Sequence, residues 1–509
     1  MLLAFQHQIA PPRFDPLPEQ KKPGAQPPTT TMKRLDMQPK HLTLIIAAAL
    51  SVLSTGANAS GYRFGSQSVS AQGTADASGA EANDASTIFY NPAGMSRLEG
   101  TQISGGATVV VPHSTYNDTG STRITGSRTG GTQTTDFAPN SVTAPSLYAT
   151  KKLNDQWTVG LGLFVPYGAK LNYGDTWNGR YALTNVLLEA VTLNPSVSFK
   201  LNQQHSFGFG IDAEHMKAEL GQAVDIPGTI AALRTPANAA QGARLISQIT
   251  ALGGNPALLA TAGDGRGENE VKDWGYGFNL GYMFTLDEST RFGLSYRSSI
   301  SHKMKGSTTW DFSKVTSDAA VNRVLAGASN RVNSAALVAV RTPETVSANV
   351  FHQFDSKWAG MADVTWSRHN RLGDLNIEFP GTSEGAEVIR QQWKNTVRVA
   401  VGGNYVYNEN MTLRAGVAYD ESPVQSDELR HPALPDSDRM QYSLGMNWKL
   451  DARSSFDLAY SFVDFKDAKV NYTNLCNTLS RTCTGNGETT RGTYQTHLSL
   501  VGISYNYKF

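Results

Sequence analysis

From Gln102 to its last residue, this 509-residue chain alternates apolar and polar side chains over about 8 to 12 positions at a time. Alternation with period two gives a strand one apolar and one polar face, so the chain must fold into sheets with two unlike sides. In residues 441–450, Tyr442, Leu444, Met446, Trp448 and Leu450 share one face, while Gln441, Ser443, Gly445, Asn447 and Lys449 share the other. Val397, Val399, Val401, Tyr405 and Tyr407 line one face in the same way, against Arg398 and Asn404 on the other.

The connections narrow the choice. Short polar turns occur at Asn154-Asp155-Gln156, Asn202-Gln203-Gln204, Asp287-Glu288-Ser289, Asp355-Ser356-Lys357, Asn408-Glu409-Asn410 and Asp451-Ala452-Arg453. Longer connections lie between them, near 112–140, 169–184, 219–269, 311–341, 372–388, 422–438 and 467–490. Six short turns alternating with seven long loops imply 14 antiparallel strands with both ends on the short-turn side. Soluble sandwiches do not usually sort their loops this way, whereas outer-membrane barrels do. The expected fold is all-β: a 14-stranded transmembrane barrel over residues 101–509. The last segment places Val501, Ile503, Tyr505, Tyr507 and Phe509 on one face, which fits an interfacial aromatic girdle.

Composition agrees. No run of about 18 apolar residues is present, so membrane helices are excluded. A net charge of +1 gives no electrostatic case for nucleic acid. Apolar residues 42–53 follow Lys33, Arg34 and Lys40 and precede Ala57-Asn58-Ala59. That is the pattern of a signal peptide over 32–59, cleaved after Ala59. The Pro-rich residues 1–31 are read as an untranslated or disordered extension, with Met32 or Met37 as the start. Export permits a disulfide, and Cys476 and Cys483 make one local pair, while no metal or other cofactor is expected.

Residues 60–95 are too small and polar for a core, yet they close on Ile88-Phe89-Tyr90-Asn91-Pro92-Ala93-Gly94-Met95, which has apolar anchors and turn chemistry. Such a segment can plug a barrel. The long connections around 230–262 and 315–340 read as helical and carry much apolar surface, either packing on each other or flanking a ligand groove. Gly381-Thr-Ser-Glu-Gly385 matches a nucleophile elbow but follows Pro380 in a polar loop. Gly208-Phe-Gly210 sits inside an alternating strand and opens no helix, so no catalytic constellation emerges.

Ala82-Asn83-Asp84-Ala85-Ser86 and Asn91-Pro92-Ala93-Gly94-Met95 resemble the N-terminal hatch of the FadL/TodX family. Phe164-Val165-Pro166-Tyr167-Gly168, Leu193-Asn194-Pro195-Ser196-Val197 and the closing Phe509 match as well. The family comprises outer-membrane transporters of long-chain fatty acids and other hydrophobic molecules. The resemblance implies a hatch over 60–100, capture between the third and fourth external loops, and lateral exit through a kink at Pro166, Tyr167 and Gly168. Tyr62 and Phe64 would then occupy the ligand tunnel or anchor the hatch to the wall.

Candidate head-group cations are Arg234, Arg244, Arg323 and Arg331 in the helical loops, with Lys303 and Lys305 at the end of the strand entering the fourth loop. Asn91, Pro92 and Ala93 would fix the hatch by a turn, while Asp84 and Glu81 would need lumen-facing Arg or Lys partners. Expected surroundings are the Gram-negative outer membrane with its lipid and lipopolysaccharide, and the barrel-assembly machinery during biogenesis. A monomer without enzymatic activity is expected. The competing readings are a general diffusion porin or adhesin-like barrel and an outer-membrane lipid hydrolase.

Overall fold

The computed structural model describes residues 63–383, 385–474 and 487–509. The signal segment, Tyr62, Cys476 and Cys483 lie outside the described residues. Fourteen strands form the wall: β1 (Thr101–Asp118), β2 (Val142–Lys152), β3 (Trp157–Asn172), β4 (Asn185–Lys200), β5 (His205–Val224) and β6 (Gly265–Thr285). β7 is interrupted (Thr290–Arg297, Ser301–Asp311), as is β8 (Ser334–Arg341, Thr345–Gln353). There follow β9 (Trp358–Ser367), β10 (Thr396–Asn408), β11 (Met411–Asp420), β12 (Arg439–Lys449), β13 (Ser454–Phe465, extended by Ala468–Thr473) and β14 (Thr489–Lys508).

Each strand pairs antiparallel with its neighbour, and β1 closes on β14 from Gln102↔Lys508 to Asp118↔Gly492. Closure removes free edges, the condition for strands to cross a membrane. No helix among the described residues is long and apolar enough to do so. The alternation turns one apolar row outward: Leu161, Phe207, Phe209, Leu280, Leu294, Leu444 and Ile503 are all exposed, a surface unsuited to water. Tyr442, Trp448, Tyr505 and Phe509 belong to the same outer face. Strands run further into the long-loop side than the sequence suggests, because residues at both margins of those loops keep pairing, as Tyr116 and Asn117 do with β14.

One seam is incomplete. β2 and β3 pair only from Lys152↔Thr158 to Leu147↔Leu163, while β2 continues on β1 as far as Val142. β3 does not end at Pro166. It continues to Asn172 against β4, with a register shift between Phe164 and Tyr167. Proline has no N–H for a ladder, so this bulge is where a closed wall tolerates it.

Residues 63–100 lie inside the barrel, with two single-turn helices, α1 (Val69–Gln72) and α2 (Thr87–Tyr90), and a 3₁₀ turn at Pro92–Arg97. Their small side chains are explained by how closely they meet the wall. Ala75, Ala77 and Ala80 are fully buried against Phe351, Met361, Ala400 and Ala418. Gly445 stands against Gly73, and a Cβ there would come within 2.7 Å of the Gly73 Cα. Gln72 donates to the Leu500 carbonyl of β14 (3.2 Å), and Arg398 of β10 donates to the Ala75 carbonyl (2.8 Å).

Both connections expected to be helical hold helices, but residues 334–340 of the second are strand, because they pair with β7 from Ser334↔Thr308 to Arg341↔Ser301. Loop 3 holds α3 (Ile226–Leu233) and α4 (Ala239–Ala251), and loop 4 holds α5 (Ala319–Ala328). Ile230, Leu245, Ile249, Val321, Val324 and Leu325 pack into one cluster with Trp310 and Phe312. Asp318 caps α5, accepting from Ala320 N (2.8 Å), and also accepts from Asn255 N (2.8 Å), which staples loop 4 to loop 3. The buried apolar side chains of the two loops therefore share one cluster, while Ile246, Leu252 and Val332 stay exposed.

Candidate functional site

The long-loop half of the lumen is apolar, where a water-filled channel would be polar. Met216, Leu220, Val271, Met304, Val338 and Tyr494 point inward and are buried in one large cluster. Loop 5 enters this space as a hairpin, Asp374–Glu378 with Glu387–Arg390, that pairs through Ile377 and Glu378 with Val338 and Leu337 of β8. Beneath it lies a cavity of about 90 Å³ between Leu188, Val271, Met304, Val338, Ile377 and Leu434. A second cavity of about 50 Å³ shares Ala433 and Leu434 with the first and reaches Leu171, Arg439 and Leu498. Leu498 also packs on Phe64 at the start of the plug. The two cavities thus meet at Ala433 and Leu434 of loop 6, and the second shares Leu498 with the cluster around Phe64 of the plug.

The plug fills that seam with its own polar groups. Phe64 N donates to the Pro166 carbonyl (2.8 Å), and Arg63 bridges antiparallel to Tyr167. The Gln67 side chain serves as a substitute strand: its Nε2 donates to the Val165 carbonyl (2.7 Å) and its Oε1 accepts from Val165 N (3.1 Å). Those are the groups of β3 that lose β2 as a partner, so burying them without Gln67 would be costly.

The turn at Asn91 fixes the other end. Asn91 is fully buried; its Oδ1 accepts from Ala93 N (3.1 Å) and its Nδ2 donates to the Tyr282 carbonyl of β6 (3.1 Å). Pro92 and Ala93 sit against Gly208 and Gly281, where any Cβ would collide with the turn. Arg297 of β7 pairs with the buried Asp212 of β5, donates to the Phe89 carbonyl (3.2 Å), and lies over the Phe89 and Phe164 rings (5.0 and 5.2 Å).

The residues expected from the sequence divide sharply. Asn91, Pro92, Ala93, Pro166, Tyr167 and Phe64 converge on the plug and seam, with Gly168 beside them. Phe64 is packed against Val110, Val142, Val463, Leu498 and Leu500 on the inner wall. Asp84 meets no wall cation by hydrogen bond; it accepts from Ser70 (2.6 Å) and from Ser86 N (2.8 Å) within the plug. Glu81 accepts from Asn404 (2.6 Å), and the carboxylate that approaches an arginine is Asp76, 3.7 Å from Arg398.

Of the proposed head-group cations, Arg234, Arg244 and Arg323 are exposed on the loop helices. Lys303 and Lys305 point outward from β7, because His302 and Met304 take the inward positions of the alternation. Arg331 alone turns partly inward, over the Trp310 ring (4.3 Å). Ser383 is itself exposed, near the tip of loop 5, and donates to Asn330 (2.9 Å).

Sequence reasoning missed the cavity under loop 5 and with it Asn269 and Gln391. The available signal was a lapse in alternation, at Val186-Leu187-Leu188 and Ala335 to Val340, where both strand faces are apolar. Gln67 and Arg297 had no local signal at all.

Loop 6, which joins the two cavities, contains His431, buried against Tyr472 (ring centroids 4.7 Å apart) and accepting from Ala433 N (3.1 Å) through Nδ1. Burial pushes its imidazole down from 6.5 to about 3, so it is neutral in the packed loop. A loosened loop binds the proton more readily, hence acid favours the loosened state and the loop weakens progressively as pH falls from 6.5 toward 3. Hydrogen exchange over 430–436, corrected for intrinsic rates, should quicken from about pH 7 to about pH 5 in the native chain and not in His431→Phe.

A closed antiparallel barrel with an apolar outer belt and an N-terminal segment packed in its lumen is an outer-membrane β-barrel protein. The chain matches the family model for outer membrane protein transport proteins (OMPP1/FadL/TodX) over residues 50–509, and it belongs to that family. A Neisseria meningitidis serogroup B protein named as an outer membrane protein is 33% identical over 483 residues, covering 92% of this chain and 98% of its own length. The long-chain fatty acid transport protein of Escherichia coli K12 is 26% identical, over 84% of this chain and 92% of its own. Among solved structures, a Pseudomonas aeruginosa FadL homologue superposes with a TM-score of 0.73 at 23% identity, covering 88% of this chain and 99% of its own. The Pseudomonas putida toluene transporter TodX gives a TM-score of 0.58 at 19% identity, over 84% and 94% of the two chains.

Proposed function

We propose that this protein takes up hydrophobic small molecules across the outer membrane and releases them sideways through the β2–β3 seam. The observation that carries this reading is the apolar lumen of the long-loop half, beside a stretch of wall where β3 lacks β2 and bonds to plug residues Phe64 and Gln67 instead. Burying an acyl or aryl group there yields about 0.8 kcal/mol per CH₂, so capture needs little beyond an apolar cavity. Loops 3 and 4 form one side of the entrance. Withdrawal of residues 63–67 from β3 then opens the seam toward the apolar outer surface, and the turn at Asn91 keeps the rest of the plug in place. No energy coupling is required, because the molecule moves between apolar surroundings throughout. A diffusion porin would instead need a polar channel through the same half of the lumen.

Gln67→Leu tests the seal. Loss of its bonds to Val165 weakens the closed state, and uptake of radiolabelled decanol by cells carrying the variant should rise about three- to tenfold. Unchanged or slower uptake with normal barrel assembly would count against release at this seam.

A further inference from the structure

We infer that the cavity beneath loop 5 is built for a neutral hydrophobic molecule bearing a hydroxyl, such as a long-chain or aromatic alcohol, and against a carboxylate. The inference rests on the uptake reading above and specifies its substrate class. Its basis is the pair of amides in a lining that is apolar apart from them and Glu219. Asn269 of β6 is 4% exposed, and its Oδ1 accepts from the Thr308 hydroxyl, which leaves Nδ2 with no partner among the described residues. Gln391 of loop 5 is 2% exposed, and its Oε1 likewise has no partner. Buried amide groups left unpaired cost stability, and native proteins carry few of them. Asn269 and Gln391 both line this cavity, so two of its lining residues each carry one amide atom with no partner among the described residues. A hydroxyl supplies the complement of each, accepting from Asn269 Nδ2 and donating to Gln391 Oε1.

The charges around the cavity exclude the alternative. Among the described residues, no lysine or arginine lines it. Its one charged lining residue is Glu219, which is paired with Lys217 (2.6 Å). In the adjoining cavity, Arg439 is already held by Asp420 (2.9 Å) and Asp436 (2.8 Å), so a third carboxylate would meet more negative than positive charge. An ionised fatty acid would be stripped of water here with no cation to receive it. A site that hydrogen-bonds a hydroxyl also discriminates against a molecule lacking one, because its own amides are then left unpaired again.

The test is equilibrium dialysis of radiolabelled decanol, decanoate and decane against the full-length protein held in amphipol. Decanol should bind at least about tenfold more tightly than decanoate at about pH 8. Asn269→Leu and Gln391→Met should each lower decanol affinity about three- to tenfold while leaving decane within about twofold. Gln391→Lys should bring decanoate to the level of decanol or beyond, and heat-modifiable migration verifies that each variant is folded. Gln391 lies in a loop, so its variants report even if Asn269→Leu fails to assemble. Decanoate binding as tightly as decanol to the native protein, or full decanol affinity in Gln391→Met, overturns the inference while uptake stands. Saturable binding of none of the three ligands overturns the uptake reading together with it.

Discussion

Replacing Gly281 with valine should detach the plug from the wall. A Cβ at this position would overlap Asn91 Oδ1 and stand 2.8 Å from Ala93 N and 2.9 Å from Pro92 Cδ. Asn91 cannot swing aside without losing its bonds to Ala93 N and the Tyr282 carbonyl, and Asn91 itself is fully buried. Overpacking of this kind and loss of the Asn cap together cost about 2–4 kcal/mol, enough to raise the detached fraction of plugs at least about thirtyfold. Planar-bilayer recordings of Gly281→Val should show frequent conducting events where the native protein is nearly silent. Gly327 in α5 has nothing within 4 Å of its added Cβ, so Gly327→Ala is the matched control and should leave conductance unchanged. Silent recordings from a fully assembled Gly281→Val barrel would show that the turn does not hold the plug.

Arg297→Met should give the largest loss of stability. Its guanidinium neutralises Asp212, which is completely buried; among the described residues Asp212 otherwise keeps only Asn194 (2.7 Å), and its second oxygen has no partner. Breaking a buried pair by removing one member costs about 3–5 kcal/mol, since the remaining charge has nowhere to go. The Arg297 bond to the Phe89 carbonyl and its stacking on Phe89 and Phe164 disappear with it, loosening the plug beside β3. Thermal loss of the compact, fast-migrating species on unboiled gels should occur at clearly lower temperature in Arg297→Met. The double variant Arg297→Met/Asp212→Leu should recover most of that loss, because no unpaired charge is then buried. A double variant no more stable than the single one would place the effect in the ring stacking instead.

Much of the barrel was legible in the sequence because its rules are local. Alternation has period two, each short turn has its own polar chemistry, and loop sorting follows from membrane sidedness, so the strand number emerges from counting. The plug was legible through composition, and the reason is visible at Gly73 against Gly445 and at Ala75 against β10 and β11: only small residues fit so near the wall. The site was less legible because its pairings are remote. Gln67 bonds a strand 98 residues away, and nothing near position 67 announces it. Asp84 and Glu81 look like plug carboxylates in need of lumen-facing cations, and Arg414 of β11 lines the same cavity as both, but their hydrogen bonds go to Ser70, Ser86 and Asn404, while Asp76 is the plug carboxylate 3.7 Å from Arg398. Lys303 and Lys305 were misleading for a simpler reason. Their place near a loop was readable, but which face of β7 they occupy depends on the interruption at Ser298 to Ile300, which no periodicity predicts across a break.

The central claim is that residues 63–67 must leave β3 for a hydrophobic molecule to exit. Arg63 and Tyr167 face each other across the antiparallel bridge, in the close pair beside the Phe64–Pro166 hydrogen bond, which suits a disulfide. Uptake of radiolabelled decanol by cells carrying Arg63→Cys/Tyr167→Cys, before and after reduction, measures this directly, with the native protein as the control for reductant. The oxidised variant should transport at least about fivefold more slowly than the reduced one, which should match the native rate. Equal uptake in the two redox states, with the disulfide verified by mass spectrometry, would contradict release through the β2–β3 seam.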